Sequence, residues 1–349
     1  MPLTSLPTPR TAVSADAPPL RWGILGTGWI ADTFVTSLRR HTRQAVYAVG
    51  SRTTQAAQRA AAAWEAPVAH GSYEALVADP GVDVVYIATP HNFHYPHALL
   101  AVEAGKHVLV EKPVGLDADE ARGIQEAAAR AGVFCMEAMW TLFLPKFDVL
   151  RQVLEQGMLG RVVAAHADMG ERFDEPHRIM RAELAGGPLL DLGTYAATFA
   201  TWTLGPPDMV TAVAASAPNG INGQLAIALG TPTGGTASLH TTILADSATT
   251  ASVIGTEGRM DLGTRFYLPG PMTLHQRGGP SLSWAEPMVE HDALHFEAAE
   301  VARRITAGED GSPLRPWVDT VATMEVMDRV RAATGLDFDQ ARAHRDATG

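Results

Sequence analysis

The chain has 349 residues, 46% hydrophobic and 19% charged, with a formal net charge of −11. That length predicts two domains, the apolar fraction excludes wholesale disorder, and an acidic chain without a basic run excludes a nucleic-acid partner held by phosphate contacts. A single cysteine, Cys135, excludes an intrachain disulfide framework, and the absence of any window of 18 apolar residues excludes a membrane span, so a cytoplasmic protein is expected.

Residues 1–19 hold five prolines and no hydrophobic core of a signal peptide, and read as a disordered tail. Strand and helix patterns then alternate: strands at 20–25, 44–50, 82–89, 107–111 and 133–138, helices at 29–40, 53–65, 72–79, 95–105 and 117–132. Apolar strands alternating with helices predict an α/β doubly wound parallel sheet, a Rossmann domain over 20–139. Beyond residue 140 the rhythm changes. Helices are expected at 145–157 and 188–204, and short strands at 209–215, 224–229, 236–243, 250–254 and 266–268. Residues 209–245 contain no Asp, Glu, Lys or Arg. This predicts a second α/β domain over 140–349 with a large open, mainly antiparallel sheet, one face under helices and the other against another subunit. Closing helices are expected at 291–307 and 318–334.

The first strand runs into Gly26-Thr27-Gly28-Trp29-Ile30-Ala31, a G-x-G-x-x-A turn opening a helix. Gly26 allows the turn, Gly28 lets backbone approach a pyrophosphate, and Ala31 lets the helix pack on the strand. At the end of the second strand stands Gly50-Ser51-Arg52, with no carboxylate to take a ribose 2′-hydroxyl. A hydroxyl and a guanidinium suit a 2′-phosphate, so NADP is expected, with NAD as the alternative.

Only three of the 27 basic residues are lysines: Lys106, Lys112 and Lys146. Lys112 follows Glu111 at the C-terminal end of a predicted buried strand, the edge where open α/β sheets bind ligands. Pro113 stiffens that turn. Further on, Asp191 and Tyr195 are i and i+4 on a predicted helix and so share a face. Oxidising a carbinol requires loss of the O–H proton as hydride leaves carbon. A tyrosine does this when a nearby cation lowers its pKa, and an aspartate can accept from a neighbouring hydroxyl.

These motifs, with Thr89-Pro90, His94, Met136-Glu137-Ala138-Met139-Trp140 and Gly186–Tyr195, resemble the glucose–fructose oxidoreductase / inositol dehydrogenase / MocA family, and most of all its diol and sugar dehydrogenases. The resemblance runs from about residue 20 to the C-terminus. It implies Lys112 and Tyr195 as a catalytic pair with Asp191 nearby. It also implies Trp140 lining the substrate pocket, and assembly as a homodimer or homotetramer through the C-terminal sheet. The substrate would be a polyol or sugar. Two alternatives stand beside this: a sugar ketoreductase, and a non-catalytic dinucleotide-binding regulator. After Trp140-Thr141 such relatives carry arginine, where this chain has Leu142.

His91, His94 and His97 are spaced by three, but Pro96 interrupts them and no acidic or cysteine ligand joins them, so no metal is expected. Thr89, Pro90, His91 and His94 follow a strand end and are expected beside cofactor or substrate. Arg178 is expected to meet substrate or a carboxylate at the domain interface.

Overall fold

The structure, a computed structural model, describes residues 5–287 and 289–348. It divides into two compact units. One comprises Ala12–Phe143 and Val289–Thr320; the other comprises residues 5–11, 144–287 and 321–348.

The first unit opens with β1 (Arg21–Leu25), α1 (Trp29–His41), β2 (Ala45–Gly50), α2 (Thr54–Trp64), β3 (Val68–His70) and α3 (Tyr73–Val77). It continues with β4 (Val84–Ile87), α4 (His94–Glu103), β5 (His107–Glu111), α5 (Ala118–Ala131) and β6 (Cys135–Ala138). All six strands are parallel, in the order β3-β2-β1-β4-β5-β6. Every residue of β4 is buried, which accounts for its unbroken apolar run. Thr53, Ser72 and Asp117 cap α2, α3 and α5 by accepting an N–H three residues on. At the start of α1 stands Gly28, which brings no side-chain cap. The strand order reverses between β1 and β4, and in such sheets the ligand crevice lies beyond the strand ends at that point.

The second unit holds α6 (Pro145–Glu155), β7 (Val162–Gly170), α7 (Thr194–Leu204), β8 (Met209–Ser216), β9 (Asn222–Gly230) and β10 (Thr236–Thr242). It adds β11 (Ala251–Gly255), β12 (Gly258–Leu262), β13 (Met272–Gln276) and β14 (Ser281–Trp284). The sheet order is β14-β13-β12-β11-β7-β10-β9-β8, antiparallel except where β7 and β10 run parallel. Leu225, Ile227 and Leu229 of β9 alternate with exposed Gln224, Ala226 and Ala228, as a sheet covered on one side requires. α7 packs against β7 and β10. The other face carries small and polar side chains and holds a depression of about 670 Å³ lined by His166, Asp168, His240, Asp261 and His275, among others. Last in the chain come α8 (His295–Thr306), α9 (Trp317–Thr334) and α10 (Asp339–Thr348).

Three expectations are corrected. Residues 289–320, expected in the C-terminal domain, pack with the Rossmann unit. There Asp292 pairs with Arg40 at 2.8 Å, and Ser37 hydrogen-bonds the backbone N–H of His295. The tail is not free chain over residues 5–19. In the second unit, Arg10 pairs with Asp148 at 2.8 Å and Glu155 at 3.1 Å on α6. In the first, Ala17 is fully buried against Ala299 and Ala302 of α8. Its anchors are one arginine and small alanines, which a composition argument does not register. Residues 266–268 form no strand: Leu268 N–H closes a turn onto the Arg265 carbonyl, and Arg265 is left-handed at φ 56°. A short apolar run does not tell a strand from a buried turn. The outer sheet face is exposed along β9 and β10, among the described residues. β3, β7, β12, β13, β14 and α10 are elements for which the pattern gave no sign.

Candidate active site

β1 ends at Leu25 and α1 begins at Trp29, so Gly26, Thr27 and Gly28 make the whole turn. Gly26 has φ 109°, and a Cβ there would lie 2.7 Å from the Ala88 carbonyl oxygen, so glycine is required. Gly28 differs. A Cβ on it would meet nothing within 4 Å. The protein's own packing makes no demand for glycine there. Open space over an uncapped helix start is the cradle a pyrophosphate needs. Ala31 is fully buried, which lets α1 sit close to β1. Thr27 and Trp29 are exposed beside the turn and Ile30 is half-buried. These residues fit a dinucleotide.

At the end of β2, Ser51 is buried and donates its N–H to the His70 carbonyl at 3.2 Å, while Arg52 is exposed. No carboxylate occupies 50–52.

At the ends of β4 and β5 the chain builds a braced platform. His94 is fully buried, with its ring nitrogens 2.7 Å from the Thr89 and Pro113 carbonyl oxygens. His94 was expected to face a ligand. Each ring nitrogen instead faces a backbone carbonyl, so the ring bridges the β4 end and the Lys112–Pro113 turn, whose peptide bond is cis. The Thr89 hydroxyl pairs with His97 at 3.0 Å. Pro90 precedes a short 3₁₀ turn, His91–Phe93, and the His91 ring lies 5.6 Å from that of His94. Glu111, also expected at the cofactor, is buried; it accepts the Tyr86 hydroxyl and, at 3.1 Å, the Lys112 N–H. Lys112 is half-buried at the strand edge.

Behind this edge lie two more carboxyls. Glu137 accepts from Arg315 Nε at 2.8 Å and Nη2 at 2.6 Å. Glu297 of α8 is fully buried and neither carboxyl oxygen has a partner among the described residues. Burial first, then Glu111 and Glu137, hold its pKa well above the usual carboxyl range.

The second unit carries Asp191, Arg178 and Tyr195. Asp191 is not on a regular α-helix: Leu189–Gly193 is a π turn, and α7 starts at Thr194. The expected i, i+4 relation therefore crosses a change of helical pitch, a feature that often marks functional positions. Arg178 Nη2 stands 2.9 Å from Asp191 Oδ2, so the carboxylate that Arg178 meets is Asp191. Tyr195 is 5% exposed, its ring 4.9 Å from that of Tyr267.

Sequence reasoning missed Tyr267 and His291. Within the first unit the His291 ring lies 5.0 Å from Trp29 and 5.3 Å from Trp140, which is itself buried. Tyr267 sat inside a run read as a strand and His291 at a presumed helix start. Neither spacing signals a ring contact made from far along the chain.

A family model for an oxidoreductase family with an NAD-binding Rossmann fold matches residues 20–139, and the GFO/IDH/MocA C-terminal domain model matches 147–261. The trans-1,2-dihydrobenzene-1,2-diol dehydrogenase of Bos taurus is 35% identical over 334 residues, covering 92% of this chain and 98% of the relative. The chain belongs to the GFO/IDH/MocA oxidoreductase family. Among solved GFO/IDH/MocA-like folds, a 3-ketoreductase from Actinomadura kijaniata with NADP and TDP-benzene superposes at TM-score 0.81 and 25% identity, covering 91% of this chain and 98% of that one. Levoglucosan dehydrogenase with NADH and levoglucosan shares the fold at TM-score 0.82 and 18% identity, with the same coverage. As a GFO/IDH/MocA member, this chain is an oxidoreductase with an NAD(P)-binding Rossmann unit.

Proposed function

We propose that this oxidoreductase interconverts a carbinol and a carbonyl on a sugar or cyclic diol, as trans-dihydrodiol and D-xylose dehydrogenases do. Gly26, Thr27, Gly28, Trp29 and Ile30 hold the dinucleotide phosphates, and Ser51 and Arg52 take a 2′-phosphate, favouring NADP. The bound nicotinamide supplies or accepts the hydride. Tyr195 exchanges the hydroxyl proton. Lys112 favours the phenolate by its charge and donates to the reacting oxygen. Asp191, its charge balanced by Arg178, accepts from a neighbouring substrate hydroxyl, and Trp140 offers a flat apolar wall. The observation that carries the reading is the braced Lys112 edge beside an uncapped glycine turn. A binding module has no need of the lysine.

Copies associate through the uncovered face of the eight-stranded sheet, as a dimer or a dimer of dimers. The low charge of 209–245 supports this. A cytoplasmic setting agrees with the lone buried thiol of Cys135. Among the described residues, no helix is long and apolar enough to cross a membrane.

The test is a panel of sugars and cyclic diols followed at nicotinamide absorbance with both cofactors, on wild type, Tyr195→Phe and Lys112→Met. Each variant should lose about a hundredfold or more in kcat and keep its dinucleotide affinity. Near-normal turnover in either removes that residue from the chemistry. Tight dinucleotide binding without turnover on the whole panel favours a regulator.

A further inference from the structure

Of the three lysines, Lys106 donates to the Asp79 and Val82 carbonyls at 2.7 and 2.8 Å, and Lys112 has its role above. Lys146 is different. It is the second residue of α6, after Pro145, and only 1% exposed. Its ammonium donates to the Leu268 carbonyl. The acid whose charge acts on it is Glu286, two residues past β14, whose Oε1 is buried without a hydrogen-bond partner among the described residues. The ammonium therefore grips the 266–270 loop at the Leu268 carbonyl.

The other side of that loop presents two rings to α7. Phe266 meets Phe199 edge-on at 5.6 Å, and Tyr267 meets Tyr195 at 4.9 Å. Tyr195 and Phe199 are one turn apart on α7 and share a face. The loop adds no strand to the sheet; besides Lys146, its backbone is tied to the rest of the unit by the Phe266 N–H, which donates to the Thr249 carbonyl at 3.0 Å. Stability alone is a weak reason for burying this ammonium, since an apolar residue of similar volume usually serves at least as well.

We propose that Lys146 is a positioning residue for Tyr195: it fixes the 266–270 loop so that the Tyr267 ring sets the aim of the Tyr195 phenol. This rests on the reading of Tyr195 as the proton-exchanging group. Misplacement of a reacting group by about 1 Å costs on the order of a hundredfold in rate, so a slack loop is read in kcat.

The experiment compares wild type, Lys146→Met, Tyr267→Leu and a control, Val153→Ala, which removes buried volume from the same helix. Lys146→Met should lower kcat by about tenfold or more, with substrate KM and nucleotide affinity within about threefold of wild type. Val153→Ala should lose Tm and keep kcat within about twofold. In a Tyr195→Phe background, Lys146→Met should add nothing to the loss in residual turnover. A Lys146→Met kcat matching the Val153→Ala control overturns the proposal, and so does a full additional loss in the Tyr195→Phe background. Should Lys146→Met fail to fold, Tyr267→Leu, which removes the ring the loop sets against Tyr195, decides by the same criteria. A Tyr195→Phe protein with wild-type kcat would instead defeat the assignment of Tyr195, whatever Lys146 does.

Discussion

Arg178 holds Asp191 with a single terminal nitrogen placed 3.1 Å from Oδ1 and 2.9 Å from Oδ2. The aspartate side chain is 11% exposed and the arginine side chain 44%, so the pair is one-sided: the acid is fixed, and its partner stays in contact with water. Asp191→Asn keeps the shape and removes the charge. It should raise substrate KM by about tenfold through the lost charge-assisted hydrogen bond, while folding stability changes by less than about 1 kcal/mol. Steady-state kinetics beside a urea titration would check this. An unchanged KM would show that Asp191 serves only Arg178.

Cofactor choice rests on Arg52. Arg52→Ala should raise KM for NADP by about tenfold or more, the usual worth of one charge-assisted contact, and leave KM for NAD within about twofold. Side-by-side kinetics with the two dinucleotides are sufficient. A wild-type enzyme that prefers NAD would retire the idea.

Arg315 and Glu137 are each 1% exposed at the side chain and meet through two hydrogen bonds. Arg315→Leu strands Glu137 near Glu297 and should cost about 3–5 kcal/mol. The double variant Arg315→Leu, Glu137→Leu should regain much of that loss. Chemical denaturation would show it; two additive penalties would mean the residues act independently.

Acid should loosen the Rossmann unit. Burial, chiefly, pulls His97 and His295 from 6.5 down to about 4. An unfolded chain protonates these rings near 6.5, but the native protein does so only near 4, so falling pH favours the unfolded state across that window. For the well-buried His97 the loss is on the order of 2 kcal/mol, complete by about pH 4. Urea midpoints at pH 7 and 4.5 would reveal the slope, and His97→Gln should flatten it.

The Rossmann half was legible because its signals are local. The Gly26–Ala31 turn, the unbroken β4 and the capped helices each declare themselves within a dozen residues. The lysine at the end of β5 followed from topology alone. In the other half the information is long-range. The strand β7 looks ordinary because its place in the sheet is set by β10 and β11, some 70 to 90 residues later. The π turn at Leu189–Gly193 is invisible to a 3.6-residue period. The resemblance supplied Asp191 and Tyr195; it did not supply Tyr267 or Lys146, which act through contacts that no spacing rule encodes.

The return of residues 289–320 to the first unit has a consequence for how the protein is made. When a ribosome has finished β6, Glu137 has been synthesised, but the guanidinium that neutralises it lies 178 residues ahead. Until Arg315 leaves the exit tunnel, the nascent nucleotide fold must carry an uncompensated anion at its heart and a bare flank on α1. Its maturation therefore waits for nearly complete translation, although its six strands are encoded first.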